Sequence, residues 1–389
     1  MMNVRQAVLG VLMTFAMTGP ALAADIVTGT PAGPLVMNSD MTIDLPPDGV
    51  LRYTTITING GTLRFRKNSL NTPVYLLATG DVYIAGSIDV SGNSGSATAG
   101  GEGGPGGYNG GHPTYGGLPA GAGHGPGGGA PGDASGGSTN MGGAAFGTTP
   151  TTSRPANGTV YGTPLLVPLV GGSGGGGSNV IGRSGGGGGG GAILIASNTK
   201  IDHRGAIHAN GAYGNVDCSL NYSNHGSGGG VRLVAPVVTG GGYVYIRGSD
   251  CQNAGVGRIR IDTLNRAALN LNYHPWPAVQ PVTSIGSFMM VFPENLPVLD
   301  IVEVAGTAVT PGQSAIINLP FGAPASQPVR VRATNFTAPV SYVVVLSPEA
   351  GPRTVYGPFT IDSSAGPAEQ TVTVDIPANN TTRVDVWTQ

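Results

Sequence analysis

The sequence predicts an all-β protein: a parallel β-solenoid that carries a long glycine-rich insertion, followed by a C-terminal immunoglobulin-like β-sandwich. Three observations lead there. Short apolar segments of period two recur between glycine corners. More than half of the 69 glycines fall between Gly100 and Gly191. Over roughly the last 90 residues, glycine drops to ordinary levels and seven alternating segments follow one another.

The chain opens with Arg5, an apolar run from Ala7 to Met17 and the small-residue site Ala21-Leu22-Ala23. This is the pattern of an export signal over residues 1–23, removed before Ala24. The run is shorter than the roughly 20 residues that span a bilayer. No later stretch offers 18 uninterrupted apolar residues, so no transmembrane segment is expected in the mature chain. The expected destination is the extracellular space or outer cell surface, with the periplasm as the alternative.

Residues 24–296 are read as the solenoid. Val74 to Gly92, Ala192 to Gly211 and Val231 to Gly248 each run strand, turn, strand, glycine corner, strand. Alternation puts Val82, Ile84, Ile88 and Val90 on one face of the first unit, and Ile193, Ile195, Ile201 and Ile207 on one face of the second. Gly86 and Gly205 take matching corners, where a sharp bend suits a residue without Cβ. Thr55 to Asn59 and Thr62 to Arg66 extend the pattern backwards, and Arg258 to Asp262 is expected to close it. One coil cannot bury its apolar face alone, whereas stacked coils make a continuous core.

The runs ITINGGTLRF, NTPVYLLATGDVYIAGSIDVSGNSG, GGGGGGGAILIAS, GAIHANGAYG, GSGGGVRLVAPVV and GVGRIRID resemble a largely uncharacterised class of exported bacterial glycine-rich β-helix proteins. The resemblance covers about residues 50–263. It implies a β-helix interrupted by glycine-rich loops, and export. It implies no catalytic residue.

The insertion, residues 93–191, is far longer than an ordinary loop. Its composition suits either a flexible coil or packed polyproline-II strands, and the flexible coil is the expectation. A strict three-residue period is absent, which excludes collagen. Within it, Ala156 to Val170 is an apolar island suited to dock on the solenoid. NYHPWP (Asn272 to Pro277) and PENLP (Pro293 to Pro297) mark a boundary. Residues 297–389 carry the seven segments LDIVEVA, SAIINL, VRVRATN, SYVVVLS, TVYGPFTI, QTVTVDI and RVDVWT, the number of strands in an immunoglobulin-like sandwich.

Charged residues make up only 10% of the chain. Without the leader, 17 basic residues face 20 acidic ones, a net charge of −3. Nucleic acid and anionic membrane both call for a basic patch, so neither is an expected partner. Cys218 and Cys251 are the only cysteines, and in an exported chain they are expected to form one disulfide.

Sugar hydrolysis needs paired carboxylates, and the coil region offers only the scattered Asp81, Asp89, Asp202, Asp217, Asp250 and Asp262. Asp89 and His208 hold matching places in their repeats and should stack on one outer face. His203, His208, Asp217, Cys218 and His225 are zinc-type ligands at spacings that match no known cage, so no metal is expected. Gly172-Ser173-Gly174 lacks the helix of a nucleophile elbow, and Lys200 lacks that of a phosphate loop. No cofactor is expected.

Aromatic faces are platforms for sugar rings. Tyr108 and Tyr115 in the insertion, and Tyr273 and Trp276 at the boundary, are the candidate glycan contacts. Phe146 and Tyr161 also stud the insertion, and His274 lies between Tyr273 and Trp276. The chain is therefore expected to be a secreted or cell-surface structural or adhesive protein with glycan contact and no catalysis. Surface polysaccharide or an envelope protein is the expected partner. The alternatives are a polysaccharide-active lyase or hydrolase, and a self-assembling matrix or filament subunit.

Overall fold

The computed structural model describes residues 25–132, 141–151, 156–179, 184–214, 224–249, 254–274, 282–294, 296–310 and 315–388. The expected export signal, Cys218, Cys251 and Trp276 lie outside the described residues. The described chain is all-β, with a short 3-10 turn at Arg266–Ala268.

Up to Asp262 the strands come in threes. The first circuit is β1 (Leu35–Met37), β2 (Met41–Asp44) and β3 (Val50–Tyr53). The second is β4 (Ile56–Ile58), β5 (Thr62–Arg66) and β6 (Val74–Ala78). The third is β7 (Val82–Ile84), β8 (Ser87–Asp89) and, after the insertion, β9 (Ala192–Ser197). The fourth is β10 (Lys200–His203), β11 (Ala206–His208) and β12 (Gly230–Val234). The fifth is β13 (Val237–Thr239), β14 (Tyr243–Tyr245) and β15 (Arg258–Asp262). Strands β16 (Asn272–His274) and β17 (Val282–Gly286) end the series. Three parallel sheets result, in the orders β1-β4-β7-β10-β13, β2-β5-β8-β11-β14-β16 and β3-β6-β9-β12-β15-β17.

The register explains the core. Leu63 pairs with Ile88, Ile88 with Ile207, and Ile207 with Val244. All four are fully buried, in one cluster with Val82, Ile84, Val90, Ile193, Ile195 and Ile201. Burying each such side chain stabilises by about 1.5–3 kcal/mol. The corners stack just as closely, since a Cβ on Gly205 would stand 1.8 Å from the Gly86 carbonyl oxygen.

One expectation about the ends needs correction, and one circuit is added. Arg258–Asp262 does not close the series, because β17 pairs along it from Arg258↔Val282 to Asp262↔Gly286. A circuit also precedes the first expected one. Its LVMNSDMTID spaces two strands as ITINGGTLRF does, with Leu35↔Ile56 and Met41↔Leu63 in register.

The glycine-rich insertion is packed where it is described, which overturns the flexible-coil expectation. Backbone hydrogen bonds of 2.7–3.0 Å follow a three-residue period along Gly185 to Ala192. Gly185, Gly188 and Gly191 donate to Ser96, Asn93 and Val90. Gly186, Gly189 and Ala192 donate to Gly111, Tyr108 and Pro105. Gly187 and Gly190 donate to Asn224 and Ser227. Three residues per turn is the polyproline-II period, which has no internal hydrogen bonds and must satisfy its backbone on neighbours. Each thread therefore bonds to several others, two of them antiparallel here and one parallel. Glycine is required for space: a Cβ on Gly189 would lie 2.0 Å from the Gly172 carbonyl oxygen.

The apolar island docks as expected. Leu166 and Leu169, with Phe146, join Ala192, Leu194, Ala196 and Val234 in a second core cluster on the third sheet. A strap then crosses that sheet. Asp262 accepts from Arg232 (3.0 Å), Arg260 (2.6 Å) and the Phe288 amide (2.8 Å), and Arg232 also donates to the Phe288 and Met290 carbonyls, each at 3.0 Å. Val291 inserts into the second cluster, and Phe292 packs on Tyr75 with ring centroids 5.0 Å apart.

The C-terminal part has β18 (Val298–Val304), β19 (Thr307–Ala308), β20 (Ser326–Thr334), β21 (Val340–Pro348), β22 (Thr354–Ile361), β23 (Ala368–Asp375) and β24 (Thr382–Thr388). They form two antiparallel sheets, β19-β18-β20-β23 and β22-β21-β24, around a third core cluster that includes Val329, Val331, Tyr342, Val344 and Val374. The expected strand SAIINL is not one over its described residues, 315–319. Ile317 packs against the core of this part, and Ile316 is left 93% exposed.

This part also touches the glycine threads. Gly351 donates to the Ala120 carbonyl (3.1 Å), and Arg353 to the Gly125 carbonyl (3.0 Å). The Tyr108 ring meets the Trp387 edge, with centroids 5.8 Å apart, and Arg383 lies over its face at 5.5 Å.

Candidate ligand-binding face

The second sheet presents three outward columns, because its inward positions are Leu63, Ile88, Ile207 and Val244. The middle column runs Thr42, Arg64, Asp89, His208, Tyr245 in register. One flank carries Thr62, Ser87, Ala206 and Tyr243, again in register. On the other flank Arg247 N donates to Asn210 Oδ1 (3.0 Å) and Asn210 N to Ser91 Oγ (3.1 Å).

Chemistry grades along the stack. At the N-terminal end Arg64 pairs with Asp40 at 3.1 Å, and Arg66 with Asp44 at 2.5 Å. At the other end the face is aromatic. The His208 and Tyr245 rings stack at 4.8 Å with 7° between planes, as the strand spacing of about 4.8 Å dictates for in-register rings. Tyr243 and Tyr245 lie 6.0 Å apart at 17°, and Arg247 covers Tyr245 at 5.0 Å. Tyr243 is 40% exposed and rises beside the short side chains of Ala206 and Ser87. The result is a shelf: an aromatic step of Tyr243 and Tyr245 just inside the edge strand β16, with Asn272 in register beyond Tyr243 and with His208 and Asp89 on the other side.

Electrostatics keep the shelf close to neutral. Burial holds the His208 imidazole below its ordinary range; Asp89 draws it back and Arg247 lowers it further. Asp40 is held below the usual carboxylate range by the Thr62 amide and by Arg64. The carboxylates of this face are hydrogen-bonded at fixed structural positions: Asp40 and Asp44 to arginines, Asp89 to the Ser91 amide at 2.9 Å.

Asp89 and His208 stack as expected, directly paired in register. His203 and His208 do not share a face, because the His203 ring is buried with Nε2 against the Tyr243 carbonyl at 3.0 Å. Among the described residues, no three His, Cys, Asp or Glu side chains gather as a metal site.

The candidate aromatics divide. Tyr108 is not an open platform. It is spent on Trp387 and Arg383, and burial pushes its phenol above the ordinary range. Tyr115 is 58% exposed in its own tight turn with Leu118. Tyr273 lies on β16 with its backbone opposite Val244, and Trp276 is outside the described residues. Phe146 and Tyr161 pack on each other at 4.7 Å, with Phe146 fully buried.

Sequence reasoning missed Tyr243, Tyr245 and Arg247. The signal was present, because YVYIR occupies the place of SIDVS and AIHAN in the earlier repeats. Comparison of the chain with protein-family models, curated proteins and solved structures finds no match.

Proposed function

We propose that this chain is an exported structural or adhesive protein, in which a parallel β-solenoid is a rigid platform and the outer face of its second sheet contacts glycan. The solenoid reading is supported by parallel pairing of every third strand around one apolar core. The immunoglobulin-like reading of the C-terminal part is supported by four- and three-stranded antiparallel sheets that share a core. The observation that carries the function is the aromatic shelf: Tyr243 stands exposed on an in-register ladder with Tyr245 and His208. Aromatic planes beside convergent polar groups are how proteins hold sugar rings. Polar and aromatic rungs follow one another in a line at the strand spacing from Asp89 through His208 to Tyr245, which suits an extended chain such as a surface polysaccharide.

The test is a glycan array with the purified chain, with mass spectrometry of every glycan bound. Binding without cleavage is expected. Tyr243→Ala should weaken it about tenfold, or about 1.4 kcal/mol. Cleaved product would overturn the non-enzymatic reading. Unchanged binding by the Tyr243 variant would remove the shelf from it.

A further inference from the structure

Beside this shelf, at the corner between the first and second sheets, is a cleft of about 400 Å³ lined by Asp202, Arg204, Thr239, Gly240, Gly241 and Asn270. The strand register explains why it is there. Asp202 pairs with Tyr83 on one side and Thr239 on the other, so Ala85, Arg204 and Gly241 are equivalent positions in successive circuits. Where Arg204 projects a long side chain, Gly241 projects nothing. The gap lies over Gly240–Gly241, and Tyr243 follows two residues later on the exposed shelf.

The three glycines of this corner are not alike. Gly240 has φ +104°, which other residues rarely adopt. A Cβ on Gly242 would lie 2.8 Å from the His203 ring. Gly241 has neither constraint: its φ is outside the left-handed region, and an added Cβ would meet nothing within 4 Å. The fold does not demand a glycine there, and its effect is to keep the cleft open.

The cleft wall is polar and self-neutralised. Arg204 Nε and Nη2 donate to the two Asp202 oxygens at 3.0 and 3.1 Å, and the guanidinium is held over the Tyr83 ring at 5.7 Å. A guanidinium has five N–H donors, so three point elsewhere, and the carboxylate keeps lone pairs. A fixed donor array beside a fixed acceptor array matches neighbouring hydroxyls on a sugar ring. Because the two charges cancel, neither a sugar carboxylate nor an amino sugar gains an unopposed counter-charge here.

We propose that this cleft is a subsite for one pyranose unit of a neutral polysaccharide, held at adjacent hydroxyls by the Arg204–Asp202 pair, next to Tyr243 on the adjoining shelf. The inference rests on the glycan reading of the adjoining shelf and adds the ligand class. The probes are mannohexaose, cellohexaose, galactohexaose and oligogalacturonate, titrated by calorimetry into the purified chain and its Gly241→Leu, Arg204→Ala and Tyr243→Ala variants. At least one neutral hexaose should bind and oligogalacturonate should not. Gly241→Leu should weaken binding tenfold or more with no fall in the unfolding midpoint, because its side chain fills the cleft and not the core. Preference for oligogalacturonate would overturn the neutral assignment. Full affinity in Gly241→Leu with loss in Tyr243→Ala would overturn the cleft and leave the shelf standing. Full affinity in both variants, or no binding by the parent chain, would overturn both.

Discussion

Replacing Gly189 with alanine adds one carbon at the point where two threads of the glycine bundle touch. That carbon would stand 2.0 Å from the Gly172 carbonyl oxygen, where ordinary contact begins near 3.4 Å. The threads would have to part by about 1.4 Å. The same two threads are joined by Gly172 N to Gly190 O (2.7 Å) and Gly175 N to Gly187 O (2.9 Å), and neither bond survives that separation. Two hydrogen bonds at about 1 kcal/mol each, with about 1–3 kcal/mol for overpacking, give a local loss of about 3–5 kcal/mol. Gly241→Ala is the matched control. It meets nothing, and should be neutral or stabilise by up to about 1 kcal/mol through the unfolded chain. Hydrogen–deuterium exchange read on peptides spanning 184–192 reports the bundle directly. The variant should lose protection there by a hundredfold or more while peptides of β12 and β15 keep theirs. Equal protection in Gly189→Ala and Gly241→Ala would refute the packed-thread account.

Asp262→Ala would leave Arg232 and Arg260 buried side by side without their shared carboxylate, and should cost about 3–5 kcal/mol by chemical denaturation. A loss below 1 kcal/mol would show that the strap is held by Val291 and Phe292 instead. His124 supplies a pH term. Burial, and then Arg383, hold its imidazole at about 4, below the ordinary 6.5, and its Nδ1 has no hydrogen-bond partner. The unfolded chain therefore binds the proton more readily, so this contribution is complete above pH 6.5 and is lost as pH falls towards 4. Its full size is about 3 kcal/mol, reduced to about 2 kcal/mol because the ring keeps some contact with water. Burial holds the Asp385 carboxyl above its ordinary range, which works in the opposite direction, so the difference between the parent chain and His124→Gln isolates the histidine. Identical pH dependence in both would contradict the assignment.

The core was legible because period two and register are the same information. Once Ile88 and Ile207 were aligned by their glycine corners, the parallel pairing left their side chains nowhere else to go. The first circuit escaped because Asn38-Ser39-Asp40 replaces the glycine pair that marks the equivalent corner at Gly60-Gly61. The bundle escaped for another reason. Its order lies in backbone hydrogen bonds between segments up to about 100 residues apart, and glycine carries no side-chain pattern to announce them. Tyr108 misled for lack of a partner in sequence: Trp387 and Arg383, which cover it, are more than 270 residues away. The shelf was half legible. Asp89 and His208 were matched through their repeats, whereas Tyr243 and Tyr245 looked like ordinary strand aromatics until the register placed them beside His208.

The threads bury much backbone and little hydrocarbon. Exposing apolar surface raises heat capacity, and exposing polar surface lowers it. Melting the bundle would therefore add little to the heat-capacity increment of unfolding, and its stability should vary gently with temperature. The isoleucine-filled stack beneath it must follow the usual steep dome. Cooling, which weakens apolar cohesion, would thus loosen the two halves of this molecule unequally, with the glycine part the less affected.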